Sequence, residues 1–408
     1  MIRAEGVTKI FGPDPDSVLP LLEKGVSKDE IQSQTGHVVG VNNASFEVSS
    51  GEVFVIMGLS GSGKSTLIRC INRLIEPTSG KILLDDPEFG EQDIAAADNE
   101  TLRLMRSGRM SMVFQHFALF PHRSVLSNVV YGLEVQGREK AEREELGRKY
   151  LAMTGLDGWE DHYPDALSGG MQQRVGLARA VATEASILLM DEPFSALDPL
   201  IKVQMQDELI KIQRELGRTI VFITHDLDEA MRIGDQIAIM EAGEIVQIGN
   251  PEQILVNPKT HYVADFVEHA DPTGVITAGT VSLPFTNRYF EQDGEEEGIL
   301  FWQRRGYPEI RFGIDGDGRL KRLSVNGEAV TLHTLESRIN EAVKHGARHV
   351  DAAVQCRDDV TLKQVMRGRA YSELPVVVHD CEGRMTGVID EPELINGILE
   401  KRGYAQDE

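Results

Sequence analysis

Three short segments of the sequence contain residue types that could bind a phosphate group and cleave it. A glycine-rich loop ends in a lysine and a serine, Gly58-Leu-Ser-Gly-Ser-Gly-Lys64-Ser65. Asp191 and Glu192 form a carboxylate pair, and Ser168-Gly169-Gly170 lies a short way before that pair. Backbone N–H groups and a lysine can hold phosphates, whereas carboxylates can hold a metal ion or activate a water molecule. The combination predicts hydrolysis of a nucleoside triphosphate.

The elements that flank the glycine-rich loop are those that a phosphate site needs. Val53–Met57 is an unbroken apolar run, which predicts a strand buried on both faces. Ser65–Leu74 has its apolar residues at helical spacing. A strand, a glycine loop and a helix start place backbone N–H groups and the positive end of the helix around an anion. A chance glycine turn is the alternative, and the flanking elements argue against it.

The loop also predicts individual roles. We expect Lys64 to reach the β- and γ-phosphates, Ser65 to bind Mg²⁺ and Thr66 to donate to the α-phosphate. The glycines allow backbone conformations and close approaches that a Cβ atom would block. The other loop residues predicted to surround the nucleotide are Gly58, Ser60, Gly61, Ser62 and Gly63.

The carboxylate pair follows four apolar residues, Ile187-Leu-Leu-Met190. This order predicts a central parallel strand whose carboxyl end opens on a ligand crevice. We expect Asp191 to hold Mg²⁺ through its water shell and Glu192 to polarise the water that attacks the γ-phosphate. The alternative is that both carboxylates are merely solvated at the end of a strand. The glycine-rich loop upstream argues against this alternative.

Ser168-Gly169-Gly170 precedes a second predicted helix, whose apolar positions 171, 175, 178 and 181 share one face. Its start is another possible anion site. Two such helix starts for one nucleotide make sense if each site borrows its second helix from a partner copy. His225 follows the apolar run Thr219–Ile223, so we expect it at the same sheet edge as Asp191.

These segments together resemble the nucleotide-binding subunit of an ATP-binding cassette (ABC) transporter over about residues 1–270. The resemblance implies ATP and Mg²⁺ as ligands and a head-to-tail dimer that sandwiches the nucleotide. It also implies that Ser168, Gly169 and Gly170 form the signature, which reaches the γ-phosphate held by the opposite subunit.

The same resemblance implies roles for four residues outside these segments or at their ends. Gln115 resembles the glutamine that senses Mg²⁺ and faces the permease. Asp198, in Ser195-Ala-Leu-Asp198, resembles the loop that links the two sites of the dimer. His225 resembles the switch histidine that contacts the γ-phosphate. Phe11 resembles the aromatic residue that stacks on adenine, although a phenylalanine after a short strand could also belong to the core.

Composition narrows the class of partner. The chain has 408 residues and a formal net charge of −23, which argues against nucleic acid and for two or more domains. Cys70, Cys356 and Cys381 have no paired spacing, as expected in a reducing compartment. No apolar stretch approaches ~18 residues, the length that would span a bilayer. We therefore expect a peripheral protein on the cytoplasmic face of the inner membrane, working through partner subunits.

The predicted fold is α/β, a P-loop cassette with a mainly parallel RecA-like core and an antiparallel β subdomain. A helical subdomain at about 116–185 would present the signature. Residues 13–37 form an insertion, in which Ser27-Lys-Asp-Glu30 predicts a capping box and a short helix. Residues 271–408 would form a C-terminal α+β accessory domain, of which 350–402 resembles a CBS module.

The insertion and the surrounding motifs resemble the ATPases of glycine betaine, proline and choline importers. That likeness implies a transmembrane permease and an extracytoplasmic solute-binding protein as partners. It implies import of a small quaternary or methylated amine such as glycine betaine, choline, proline betaine or trimethylamine N-oxide. A soluble ABC ATPase without a permease, an importer of another solute class and a regulatory module with a vestigial ATPase stay open as alternatives.

The C-terminal segment matches its presumed relatives only in part. Relatives carry two CBS modules there, and residues 275–330 instead predict a Gly-rich β-meander, so the first module is degenerate or replaced. A dimerisation or scaffold element is favoured over a nucleotide sensor, at the strength of fold analogy alone. Asp315-Gly-Asp-Gly318 predicts a hairpin turn and not a calcium loop, because the later calcium ligands are missing.

Overall fold

The computed structural model describes residues 1–86, 88–115, 118–195, 197–268, 270–337, 352–370, 372 and 374–399. The chain divides into two compact units, Met1–Phe266 and Val267–Glu408. Residues 116 and 117 of the predicted helical subdomain lie outside the described residues. So do residues 350, 351, 371, 373 and 400–402 of the predicted CBS-like segment.

The first unit contains the strands and helices of an α/β protein. Its strands are β1 (Ile2–Phe11), β2 (Val38–Val48), β3 (Val53–Met57), β4 (Ser79–Asp86), β5 (Gly90–Asp93), β6 (Met110–Val113), β7 (Ile187–Asp191), β8 (Thr219–Thr224), β9 (Gln236–Glu241) and β10 (Glu244–Gly249). Its helices are α1 (Leu19–Glu23), α2 (Lys28–Thr35), α3 (Lys64–Ile71), α4 (Asn99–Gly108), α5 (Val125–Val129), α6 (Tyr131–Val135), α7 (Lys140–Met153), α8 (Gly169–Ala182), α9 (Pro199–Leu216), α10 (Leu227–Ile233), α11 (Pro251–Val256) and α12 (His261–Val267), the last reaching the boundary between the units.

The central sheet has the strand order β10-β9-β3-β8-β7-β6. All its pairings are parallel except that of β9 with β10. Every residue of β3, β7 and β8 is buried, as their unbroken apolar runs predict for strands covered on both faces. The parallel order brings the carboxyl ends of β3, β6, β7 and β8 to one edge, and this edge carries the site described below.

A second sheet is antiparallel, with the order β2-β1-β4-β5. It packs against the central sheet through a shared core that includes Phe46 and Phe54, whose rings stack with centroids 5.1 Å apart. The predicted combination of a mainly parallel core and an antiparallel subdomain is therefore confirmed. Helices α5, α6, α7 and α8 pack on one another, as expected for the helical subdomain.

The insertion between β1 and β2 folds into α1, α2 and a short 3₁₀ turn. The predicted cap at Ser27 is present, since its hydroxyl accepts a hydrogen bond from the Glu30 backbone N–H at 3.3 Å. The other half of the predicted capping box differs. The Glu30 carboxylate accepts a hydrogen bond from Gln34 at 3.2 Å, because these exposed side chains lie one turn apart on α2.

The second unit contains two further sheets. Its strands are β11 (Leu283–Pro284), β12 (Phe290–Glu296), β13 (Ile299–Arg304), β14 (Tyr307–Ile314), β15 (Leu320–Val325), β16 (Glu328–Ala329), β17 (Thr331–Thr334), β18 (Ala352–Arg357), β19 (Val376–His379) and β20 (Met385–Ile389). Its described helices after α12 are α13 (Ala278–Val281), α14 (Leu362–Arg369) and α15 (Glu391–Leu399).

The predicted β-meander is present, because β12 to β16 pair in chain order. Asp315-Gly-Asp-Gly318 is the turn between β14 and β15, as predicted, and the Asp315 carboxylate accepts backbone hydrogen bonds from Asp317 and Arg319. The other sheet has the order β11-β20-β19-β18-β17. The elements from β18 to α15 run strand, helix, strand, strand, helix. Their identity as a CBS module stays a prediction.

Candidate functional site

The glycine-rich loop lies between β3 and α3, and two of its glycines are required by close backbone contacts. Gly63 has φ +100°, and a Cβ atom there would lie 2.2 Å from the carbonyl oxygen of Gly40. A Cβ atom on Gly58 would lie equally close, at 2.2 Å, to the carbonyl oxygen of Met240. The loop is therefore pressed against two neighbouring strands, and only glycine fits at these points.

Lys64 is the first residue of α3 and is only 5% exposed. Its Nζ donates hydrogen bonds to the carbonyl oxygens of Gly58 at 2.8 Å and Leu59 at 2.9 Å, so the side chain folds back across the loop. Burial lowers the pKa of the Lys64 amino group, whereas the nearby carboxylates of Glu192 and Asp191 oppose that shift. The loop thus holds a buried amino group, whose charged form an anion bound at the loop would stabilise.

Ser62 and Gly61 are two other loop residues that are predicted to surround the nucleotide. The Ser62 hydroxyl is buried and has no hydrogen-bond partner within the described part of the chain. Gly61 has φ +79°, and open space lies where its Cβ atom would be. Gly61 lines the cavity described below, whereas Ser62 does not, so of these two loop residues Gly61 is the one that a phosphate there would meet.

Asp191, at the carboxyl end of β7, is buried and accepts hydrogen bonds from two residues of α3. The Ser65 hydroxyl donates to its Oδ1 at 2.8 Å, and the Arg69 guanidinium contacts its Oδ2 at 2.9 Å. Ser65 and Arg69 are one helical turn apart, so they share the face of α3 that looks at β7. A hydroxyl and a carboxylate at this distance are the hard oxygen donors that suit Mg²⁺, which retains several waters and phosphate oxygens.

Glu192 contacts two other residues predicted for the site, His225 and Gln115. Its Oε2 lies 3.1 Å from Nδ1 of His225 and accepts a hydrogen bond from Nε2 of Gln115 at 3.5 Å. These three residues follow β7, β8 and β6, whose carboxyl ends meet at one sheet edge. Glu192 has φ +46°, a conformation uncommon for a residue with a Cβ atom, and it is held by a hydrogen bond from its N–H to the Ile223 carbonyl.

A cavity of about 470 Å³ lies over the loop and is lined by residues predicted to bind the nucleotide. Glu192 and Thr66 line it together with the loop residues Ser60, Gly61, Gly63, Lys64 and Ser65. Phe11 lines the same cavity, is 40% exposed and packs on Gly40. Phe11 is therefore not a core residue. The Nζ of Lys9 lies over its ring, 5.2 Å from the ring centroid, so a base that stacks on Phe11 would do so beside this ammonium group.

The signature residues line a different cavity, of about 460 Å³. Ser168 is the N-cap of α8, and its hydroxyl accepts a hydrogen bond from the Met171 N–H at 3.3 Å. Gly169, Gly170 and Asp198 line this cavity as well. Among the described residues, none lines both cavities. In this structure of one copy, Ser168, Gly169 and Gly170 and the glycine-rich loop thus line separate cavities.

Three groups of residues at the site were missed by the sequence analysis. Arg69 contacts Asp191, and its position one turn after Ser65 is the signal that could have found it. Lys202 of α9 binds Asp226 with Nζ 2.6 Å from Oδ2, which ties α9 to the turn that carries His225. Burial raises the pKa of Asp226, but the hydrogen bond and charge of Lys202, together with the backbone N–H groups of Glu229 and Asp228, outweigh this and leave that pKa lowered. The third group, Lys28, Asp29 and Gln32, belongs to α2 of the insertion and lines the same cavity as the glycine-rich loop.

In the described part of the chain, no helix combines the length and the apolar character needed to cross a bilayer. A family model described as ABC transporter matches residues 41–195. The glycine betaine/proline betaine transport system ATP-binding protein of Escherichia coli (strain K12) is 51% identical over 97% of this chain and 97% of the relative.

Two further relatives have similar descriptions. The glycine betaine transport ATP-binding protein of Bacillus subtilis (strain 168) is 43% identical over 100% of this chain and 94% of its own length. The trimethylamine N-oxide transport system ATP-binding protein of Ruegeria pomeroyi is 49% identical over 69% of this chain and 81% of the relative. A solved dimeric ATP-binding cassette bound to ADP and phosphate is 30% identical, with a TM-score of 0.52. It covers 62% of this chain and 99% of the solved chain.

Proposed function

Because the chain belongs to the ATP-binding subunits of ABC transporters, we propose that it hydrolyses ATP to drive the import of a small quaternary or methylated amine. The observation that carries the ATPase part of the proposal is the convergence on Glu192. A carboxylate held by His225 and Gln115 borders the same cavity as Lys64, so a general base and a phosphate cradle face one another.

Each residue at the phosphate end then has a chemical task. Lys64 and the backbone N–H groups of residues 58–63 hold the β- and γ-phosphates, and Thr66 donates to the α-phosphate. Glu192 orients the attacking water and accepts its proton, a task that contributes typically ~10²–10⁴-fold in rate. His225 positions Glu192 and the γ-phosphate, and Gln115 positions Glu192 from the opposite side.

Ser65 and Asp191 are the residues that would hold Mg²⁺, and Gln115 would sense it. The bound ion would neutralise charge that builds on the phosphate oxygens. Arg69 keeps the Asp191 carboxylate fixed through its contact with Oδ2. Ser65 and Asp191 fit the ion because their donor atoms are oxygens, the ligand type that Mg²⁺ prefers.

We infer that two copies of the chain bind ATP head to tail. The separation of the signature cavity from the loop cavity supports this arrangement, as does the dimeric form of the solved cassette. Ser168, Gly169 and Gly170 of one copy would close over the γ-phosphate held by the other copy. Asp198 would link the two sites. Lys202, which binds Asp226, would couple a movement of α9 to the neighbouring His225.

The proposed partners are a transmembrane permease and, through it, an extracytoplasmic solute-binding protein, which places the chain on the cytoplasmic face of the inner membrane. The helical subdomain, about 116–185, would contact the permease and transmit closure of the dimer. Residues 271–408 would act as the accessory domain. Glycine betaine and proline betaine, which appear in the description of the full-length E. coli relative, are the first solutes to test.

Reconstitution tests this function. Purified chain, permease and binding protein in lipid vesicles should accumulate labelled glycine betaine only when ATP is present on the side of the chain. An excess of unlabelled proline betaine or trimethylamine N-oxide then identifies the other amines that are accepted, because an accepted amine lowers the uptake of labelled glycine betaine. A chain that hydrolyses ATP at full rate yet never co-purifies with a membrane protein would instead support the soluble ATPase class.

A further inference from the structure

The insertion between β1 and β2 is fastened to the sheet by its own small core. Ile31 of α2 is fully buried and packs with Ile10 of β1, Val39 of β2 and Val18. The insertion is also closed at its base, where a Cβ atom on Gly12 would lie 2.1 Å from the ring of the buried His37. Buried contacts thus hold helix α2 in place against the sheet, where it forms one wall of the nucleotide cavity.

Helix α2 directs three polar side chains at the nucleotide cavity. Lys28, Asp29 and Gln32 line the cavity, whereas Ile31 of the same helix packs into the small core. Lys28 and Gln32 are one turn apart and share a face, and Asp29 is beside them. The cap at Ser27 fixes where the helix begins and therefore which residues face inward.

The lining of the cavity comes from two groups of residues. The first group is Glu192, Thr66 and the glycine-rich loop, where we expect the phosphates. The second group, at the α2 end of the cavity, is Phe11, Val38, Val39, Gly40 and α2, and it adjoins the first group at Gly40, where a Cβ atom would lie 3.3 Å from Cγ2 of Thr66. In that second group, the polar side chains of the described residues all come from α2. A nucleotide whose phosphates lie on the loop would place its base and ribose against this end.

Stacking alone gives this end of the site little selectivity. Every base has a π-face, so the exposed ring of Phe11 would accept any of them. The side chains of Val38 and Val39 offer no hydrogen bond to a base edge or a sugar hydroxyl. Among the described residues that line this end, the side chains able to hydrogen-bond to a nucleoside are therefore those of α2, Lys28, Asp29 and Gln32.

We propose that Asp29 and Gln32 form a nucleoside-recognition wall, which hydrogen-bonds to the adenosine part of the ATP bound by the same chain. The amide of Gln32 offers one acceptor and one donor, the pair that matches the amino group and ring nitrogen of adenine. The carboxylate of Asp29 accepts from an amino or hydroxyl group, as carboxylates do for ribose in other nucleotide sites. The inference rests on the proposed function, because it assumes that ATP occupies the cavity.

Binding measurements with the full chain test the wall separately from catalysis. Calorimetry would compare Mg²⁺-ATP with Mg²⁺-tripolyphosphate, which keeps the phosphates and lacks the nucleoside. In the double variant Asp29→Asn/Gln32→Ala, the affinity for ATP should fall about tenfold while that for tripolyphosphate stays unchanged. The variant should also lose the wild-type preference for ATP over inosine triphosphate or 2′-deoxy-ATP, according to whether base or ribose is contacted.

The matched control is Glu30→Gln/Gln34→Ala, which makes the same chemical changes on the same helix at exposed residues outside the cavity lining. This control should bind all ligands as the wild type does. Equal losses for ATP and tripolyphosphate, or no loss for either, would overturn the proposal, as would wild-type ratios among the three nucleotides in the α2 variant. A wild-type chain that binds no ATP would instead contradict the proposed function.

Discussion

Replacing Glu192 with glutamine is expected to lower steady-state ATP hydrolysis by ~10²–10⁴-fold while the chain still binds ATP. Glutamine has nearly the same size, so the contacts with His225 and Gln115 can persist in altered form. An amide, however, cannot accept the proton of the attacking water. The trapped ATP should hold two copies together, because the dimer reopens only after hydrolysis.

Phosphate release and ATP binding by calorimetry measure the two parts of this expectation in the same preparation. Glu215→Gln is the control, since Glu215 is an exposed carboxylate on α9 outside the cavity. Hydrolysis by Glu192→Gln at the wild-type rate would remove Glu192 from the role of general base. Loss of ATP binding in that variant would instead assign Glu192 a structural role.

Lys64→Ala is expected to weaken ATP binding strongly. Charge-assisted hydrogen bonds contribute ~1.5–3 kcal/mol each, so losing a single contact to a phosphate lowers affinity roughly 10- to 150-fold. The folded state should change less, because the buried amino group bears a desolvation cost that alanine removes. The carbonyls of Gly58 and Leu59 lose their donor, which offsets part of that gain.

Titration with Mg²⁺-ATP measures the loss of affinity, and the melting temperature without nucleotide reports on the fold. Lys81→Ala removes an exposed lysine from β4 and should leave both quantities at the wild-type value. Unchanged ATP affinity in Lys64→Ala would count against the glycine-rich loop as the phosphate site.

Much of the site could be predicted because its parts are local in sequence. The apolar run at 53–57, the glycines and Lys64 form a strand, a loop and a helix start without reference to distant residues. The placement of Asp191 and His225 at one edge followed from parallel strands, whose carboxyl ends must meet. The exposure of Phe11 could not be derived this way, because it depends on how β2 passes beneath the ring.

Other parts depend on tertiary contacts that leave little trace in the sequence. The wall formed by α2 exists because Ile31 packs onto β1 and β2, and an insertion carries no signal of where it folds back. The capping box is only half formed because two donors compete for the Glu30 carboxylate. It accepts a hydrogen bond from Gln34 and not from the backbone N–H of Ser27. In the second unit, by contrast, the glycine-rich composition of residues 275–330 predicted the meander, which is formed by strands that pair in chain order.

The sharing of ATP between two copies can be tested by mixing two defective variants. Gly169→Asp suits this purpose because open space surrounds the position of its Cβ atom, so the aspartate fits the fold. Its carboxylate would repel a phosphate presented by the partner. Lys64→Ala lacks the phosphate-binding lysine and keeps an intact signature. Both variants would also carry Glu192→Gln, which prevents turnover.

Size-exclusion chromatography with Mg²⁺-ATP, combined with nucleotide counting, gives the most direct result. Each variant alone should show no ATP-dependent dimer, whereas the mixture should form ATP-dependent dimers with one trapped ATP for every two chains, held by the intact Lys64 of one chain and the intact Gly169 of the other. Gly169→Asp chains that close around ATP on their own, or a mixture that forms no dimer, would contradict a nucleotide site built from two copies.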